Sequence, residues 1–289
     1  MIKALSIFSI VLLFGGLLFQ FAALKTFNFV IPKDAGSEQV GSAQHYGTDA
    51  DQTLYVFKPT ASAAPLPILI FVHGGSWEEG SAEDYEFVGR AFAAKGFLTL
   101  VINYRARPTN VYPAFIEDVA LATAWANKHA KEFGGDGSSI FLTGHSAGAY
   151  NVAMATLDLH YLKAAGVDPK IIRGVATIAG PFDFLPLDTE STRVTFGHVV
   201  DLPSTQPINY ARADAPPFLI LHGSADTTVY PRNAISLMKH LNDVGAHPKY
   251  VEYEGVSHVG ILLDLAKPLR GNAPVLDDIC NFFKDILKQ

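Results

Sequence analysis

Apolar and polar positions along this chain fall into two kinds of block. Residues 68–72 (Ile-Leu-Ile-Phe-Val) and 97–102 (Phe-Leu-Thr-Leu-Val-Ile) are near-continuous apolar runs of strand length, the pattern of strands covered on both faces. Residues 54–57, 140–143, 174–178, 218–221 and 249–253 read as further strands. Between them, residues 85–95, 114–133, 147–165, 233–244 and 275–287 carry helical patterns, the first stopped by Gly96 and the second by Gly134 and Gly135. Strands alternating with helices predict an α/β class with a mostly parallel central sheet and helices on both faces. Such sheets take ligands beyond the carboxyl ends of their strands. Residues 181–217, with several prolines among mixed polar residues, interrupt the alternation and are expected to form a short cap there.

The first residues break the pattern differently. After Met1-Ile2-Lys3, residues 4–24 hold 21 positions without a charge, and Lys25 closes them. A helix of that length crosses a hydrocarbon core of about 30 Å. A cut after Ala23 would put Phe21 at −3, and a cut after Leu24 would put leucine at −1, so an uncleaved signal-anchor is favoured over a removed signal peptide. Positive charge is nearly balanced across the run, and the expected orientation has the N-terminus inside and the rest exported, on the periplasmic or extracytoplasmic side. The expected division is an anchor over 1–25, a linker and lead-in over 26–50, and one catalytic domain over 51–289.

Composition narrows the function. The 289 residues are 49% hydrophobic and 17% charged, enough for one large core and too apolar for a disordered chain. Twenty-two Lys and Arg against 28 Asp and Glu leave a net charge of −6, which argues against a nucleic-acid partner. The single cysteine, Cys280, sits in an amphipathic run and reads as a buried helix residue.

Chemistry concentrates after two of the strands. Gly144-His145-Ser146-Ala147-Gly148 matches G-x-S-x-G between a strand and a helix, where a sharp turn exposes a serine hydroxyl. The Ala147 amide then opens a helix, facing developing negative charge. His73-Gly74-Gly75-Ser76-Trp77 directly follows the 68–72 strand, and the amides of Gly75 and Ser76 join Ala147 as an expected oxyanion hole. His73 reads as a brace for this loop, and Trp77 as either packing or a substrate-pocket wall. A serine needs a base, and the base an orienting carboxylate, in the chain order Ser, Asp/Glu, His. Among ten histidines, His258 lies late and just past a strand. His145 lies beside Ser146 rather than across a pocket, and His222 parallels His73. Asp226, 32 residues before His258, is the favoured acid. Asp183 also follows a strand and reads as a cap anchor or substrate contact.

Together these residues resemble the α/β-hydrolase superfamily, in particular the branch with an HGG-S/Y-W loop that includes BD-FAE-like carboxylesterases and the kynurenine formamidases. The likeness runs from Tyr46-Gly47 through Asn103-Tyr104-Arg105, Pro113-Ala114-Phe115 with Asp118, the Ser146 elbow, Pro181-Phe182-Asp183 and His222-Gly223-x-x-Asp226. It implies a triad of Ser146, Asp226 and His258, agreeing with the order argument, and a structural Tyr104, Arg105 and Asp118. Gly-Gly-Ser-Trp replaces the three glycines of the lipase version and leaves acyl preference open. The expected activity is a serine carboxylesterase acting on short-chain or small esters through an acyl-enzyme, without metal or organic cofactor. An arylformamidase passes through the same oxyanion chemistry and is the alternative; a non-catalytic binding protein on the same fold is the reading from another class.

Overall fold

The computed structural model describes residues 24–62 and 65–288. Among these, nine strands form one sheet: β1 (Ser37–Gln39), β2 (Gln44–His45), β3 (Thr53–Pro59), β4 (Leu66–Val72), β5 (Leu98–Ile102), β6 (Gly135–His145), β7 (Ile172–Ile178), β8 (Phe218–Gly223) and β9 (Lys249–Tyr253). The order is β1-β3-β5-β4-β6-β7-β8-β9, with β2 also on β3. Contacts from β5 through β9 are parallel, and β1, β2, β3 and β5 meet antiparallel. The helices are α1 (Glu86–Ala94), α2 (Ala114–His129), α3 (Ala147–Leu157), α4 (Leu159–Ala164), α5 (Glu190–Phe196), α6 (Arg232–Asp243), α7 (His258–Leu263) and α8 (Val275–Leu287).

The apolar runs are continuous because both faces of the sheet are covered. Along β4, Ile68, Ile70 and Val72 enter one core with Phe115 of α2, Val152 of α3 and Leu237 of α6. Leu69 and Phe71 enter the other with Phe92 of α1 and Ile279 and Phe283 of α8. The period of two in the strand thus divides one run between two cores. Cys280 is buried in α8, and burial pushes its thiol up to about 12, the state of an inert packing residue.

Order also creates the crevice. From β4 the chain leaves through α1 to β5 on one side; from β6 it leaves through α3 to β7 on the other. Adjacent strands whose connections depart in opposite directions open a gap at their carboxyl ends. The His73 loop and Ser146 stand on either side of that gap.

Several elements differ from expectation. The helix expected over 147–165 is two, because Asp158 turns extended and its carboxylate caps α4 by accepting from the His160 amide. The stretch expected over 114–133 ends its α-helix at His129 and finishes as a 3₁₀ turn. The cap holds a helix, α5, whose capping box uses threonine at both positions, Thr189 and Thr192.

The lead-in is not loose. Residues 24–30 are helical, and Phe27 meets Phe87 edge to face at 5.4 Å. Asn28 accepts from the Phe87 amide at 3.1 Å, so a residue 59 positions away satisfies a donor in the first turn of α1, whose own N-cap side chain does not. The Arg270 guanidinium grips both oxygens of Asp34 at 2.7 and 2.6 Å. Among the described residues no helix is long and apolar enough to cross a membrane; the span expected over 4–24 lies, save Leu24, outside them.

Candidate active site

Strand β6 runs straight into Ser146, which adopts φ 55°, ψ −122° before α3 begins. A non-glycine residue at positive φ is strained by about 1–3 kcal/mol and persists where its surroundings hold it. Here they are tight: a Cβ on Gly148 would lie 2.1 Å from the Val72 carbonyl oxygen, and one on Gly144 would lie 2.4 Å from that of Gly148. Gly148 is therefore required by the close approach of the end of β4, and Gly144 by the first turn of α3 folding back over it.

Three side chains from the ends of β6, β8 and β9 meet here. The Ser146 hydroxyl donates to His258 Nε2 at 2.9 Å, and His258 Nδ1–H donates to Asp226 Oδ2 at 2.7 Å. Asp226 Oδ1 accepts from the amides of Thr228 and Val229, both at 2.9 Å. His222 Nε2 lies 2.7 Å from the Val229 carbonyl oxygen and 3.3 Å from Asp226 Oδ2. Burial alone would raise the Asp226 carboxyl; hydrogen bonds from His222 and His258, with the positive potential of His258, overcome it and hold the group well below the usual carboxylate range.

The His73 loop borders the hydroxyl. Gly75 has φ +129°, and a Cβ there would lie 1.8 Å from the Glu79 carbonyl oxygen, so only glycine fits. Ser76 and Trp77 both follow at positive φ, 55° and 58°. The amides of Gly75, Ser76 and Ala147 have no protein acceptor among the described residues. Trp77 is buried: its Nε1–H donates to Asn151 Oδ1 at 2.9 Å, and its ring packs on Phe115, Tyr150, Phe184 and Phe196.

The cap reaches this loop through contacts between residues far apart in the chain. Ser191 of α5 donates to the Ser76 carbonyl at 3.0 Å, and Arg107, which pairs with Glu78 of the loop at 2.5 Å, also donates to Ser191 Oγ at 3.4 Å. Asp183 accepts from Ser236 of α6 at 2.6 Å, and its amide donates to Asn233, so it ties the start of the cap to α6. Arg105 and Gln52 converge on Asp118, a brace away from the crevice. Among the described residues no cluster of His, Cys, Asp or Glu has the makings of a metal site.

Two further histidines are buried and neutral. His73 stacks between Tyr85 and Tyr104 with Nδ1 at 2.7 Å from the Gly74 carbonyl, and burial pushes it down to about 4. His145 lies against His258, and burial, then the His258 charge, pushes it down to about 3. Both values fall below the unfolded value near 6.5, so between there and pH 4 the unfolded chain binds protons that the folded one refuses, and stability falls with acidification. These two rings alone are expected to lower the unfolding free energy by about 4 kcal/mol between pH 7 and pH 5, at about 1.4 kcal/mol per pH unit each. Urea midpoints at the two pH values measure it, and equal midpoints would contradict it.

Comparison with known proteins agrees with this architecture. The BD-FAE family model matches residues 54–241. Esterase LipC of Mycobacterium tuberculosis is 32% identical over 243 residues, covering 77% of this chain and 60% of LipC. A probable isoprenylcysteine alpha-carbonyl methylesterase, ICMEL1 of Arabidopsis thaliana, is 25% identical over 84% of this chain and 54% of its own length. The chain thus spans between about half and three fifths of these relatives. Among solved structures, esterase B from Lactobacillus rhamnosis superposes with a TM-score of 0.81 at 19% identity, covering 100% of this chain and 98% of that one, a likeness of fold.

Proposed function

Because this chain belongs to the BD-FAE family, we propose that it is a serine carboxylesterase acting on small, short-chain esters. The observation that carries the reading is the continuous relay from Ser146 Oγ to His258 Nε2 at 2.9 Å and from His258 Nδ1 to Asp226 Oδ2 at 2.7 Å.

In the proposed cycle Ser146 Oγ attacks the ester carbonyl while His258 Nε2 takes its proton. Asp226 keeps Nδ1 protonated and stabilises the imidazolium. The amides of Gly75, Ser76 and Ala147 receive the oxyanion. His258 returns the proton to the departing alkoxide as the C–O bond breaks, leaving an acyl-serine. Water, deprotonated by the same nitrogen, then releases the acid and restores the serine. The aromatic packing around Trp77 occupies space beside the loop and supports small acyl groups over long ones.

The test compares p-nitrophenyl acetate, butyrate and dodecanoate with N-formylkynurenine. The two short esters are expected to turn over fastest, and a fluorophosphonate is expected to abolish turnover as it labels the protein. Fastest cleavage of the formamide, or full activity after complete labelling, would overturn the reading.

The apolar run over 4–24 supports a second part of the proposal: it anchors the chain in a membrane with the catalytic body on the exported side. Alkaline carbonate washing is expected to leave the full-length chain in the membrane pellet. Release into the supernatant would contradict it.

A further inference from the structure

His145 carries the one long side chain in the Gly144–Gly148 turn, and the cycle above gives it no work. It is 4% exposed, and its Nε2 lies 2.9 Å from the backbone carbonyl oxygen of His258. A carbonyl only accepts, so Nε2 carries the hydrogen and Nδ1 presents a bare lone pair. That Nδ1 is buried without a partner. Burying an unpaired nitrogen costs about 1–3 kcal/mol, so the ring is oriented for its Nε2 bond and leaves its other polar atom unsatisfied.

The placement of that bond is what matters. His145 is covalently next to Ser146, and its hydrogen bond ends on the backbone of His258. Ser146 and His258 are therefore joined twice. One link is the Oγ–Nε2 hydrogen bond, which the reaction breaks and remakes. The other runs through His145 and is independent of where the reacting proton sits. His258 needs such a tie, because it begins the six-residue helix α7 after a largely exposed loop. Ser224 and Ala225 hold that loop to the end of β8, through the bonds Gly255 N to Ser224 Oγ and Ala225 N to Val256 O. His145 is the hydrogen bond that holds it to β6.

We propose that His145 is a positioning residue that sets the distance between Ser146 Oγ and His258 Nε2 by fastening the His258 backbone to the nucleophile turn. Its burial keeps it neutral, so it does not compete with His258 as a base. The inference rests on the serine esterase reading above.

Three variants test it with p-nitrophenyl butyrate. His145→Phe keeps a ring and removes the donor; His145→Gln sets an amide N–H near the position of Nε2; Ser146→Ala controls for the underlying reading. His145→Phe is expected to lose about 10- to 100-fold in kcat, the order that a misplaced catalytic group costs, with KM nearly unchanged. His145→Gln is expected to recover most of that loss, and fluorophosphonate labelling rates should follow the same ranking. Wild-type kcat in His145→Phe, or an equal loss in His145→Gln, would overturn the proposal, the latter because shape and not the hydrogen bond would then matter. If His145→Phe does not fold, His145→Asn, polar but too short to reach the carbonyl, takes its place with the same expected loss and the same overturning result. Wild-type activity in Ser146→Ala would instead remove the esterase assignment. An inactive Ser146→Ala beside a fully active His145→Phe removes the brace alone.

Discussion

Ser146→Ala is expected to lower kcat for p-nitrophenyl butyrate by about 10⁴- to 10⁶-fold, the range seen when a nucleophile is removed from a group of residues that act as a unit. The hydroxyl makes its hydrogen bond to His258, and alanine accepts the φ of 55° no worse than serine, so the turn itself should persist. What remains is catalysis by the amides of the His73 loop and by binding. Near-UV circular dichroism should match wild type while fluorophosphonate labelling disappears. A kcat within tenfold of wild type would mean that another group attacks.

Asp226→Asn is expected to cost about 10⁴-fold in kcat, by a route the geometry specifies. Oδ1 already accepts from the amides of Thr228 and Val229. The asparagine carbonyl oxygen is held to that side, because its NH₂ cannot accept from those amides. The NH₂ therefore faces His258 Nδ1, which must give up its hydrogen and become an acceptor. The ring proton then sits on Nε2, pointing at the serine it should deprotonate. The loss should appear in kcat with KM little changed. A loss below tenfold would show that His258 does not depend on this carboxylate for its tautomer.

The parts of the fold that were legible are those whose pattern is local. The run 68–72 announces β4 because both faces are buried, and Gly96 and Gly134 mark helix ends because few other residues adopt their φ of 99° and 88°. Strands β1 and β2 left no such trace. They are three and two residues long, mostly polar, and owe their existence to pairing with β3. Helix α5 was hidden by Thr192, Val194 and Thr195, residues of modest helix propensity, and by a threonine where a capping box usually has Glu or Gln.

The site shows the same division. Ser146, Asp226 and His258 could be nominated because a short motif and the chain order constrain them, and the structure brings the three together. The link from His145 to the His258 carbonyl and from Ser191 to the Ser76 carbonyl could not. Each joins an ordinary side chain to a backbone oxygen about 115 residues away, and a backbone acceptor has no signature in sequence. The left-handed Ser76 and Trp77 are likewise imposed by the loop around them, including the hydrogen bond from the Arg107 amide to the Trp77 carbonyl.

The clasp formed by Phe27, Asn28 and Asp34 bears on how the protein would meet its surroundings if its start is held in a bilayer. A floppy tether of 25 residues would let the body roam over about 27 Å. Docked by Phe87, Glu83 and Arg270, residues 27–34 belong to the body and shorten any such leash by that stretch. The reach of the crevice from that attachment would then be set by the residues before Phe27 alone.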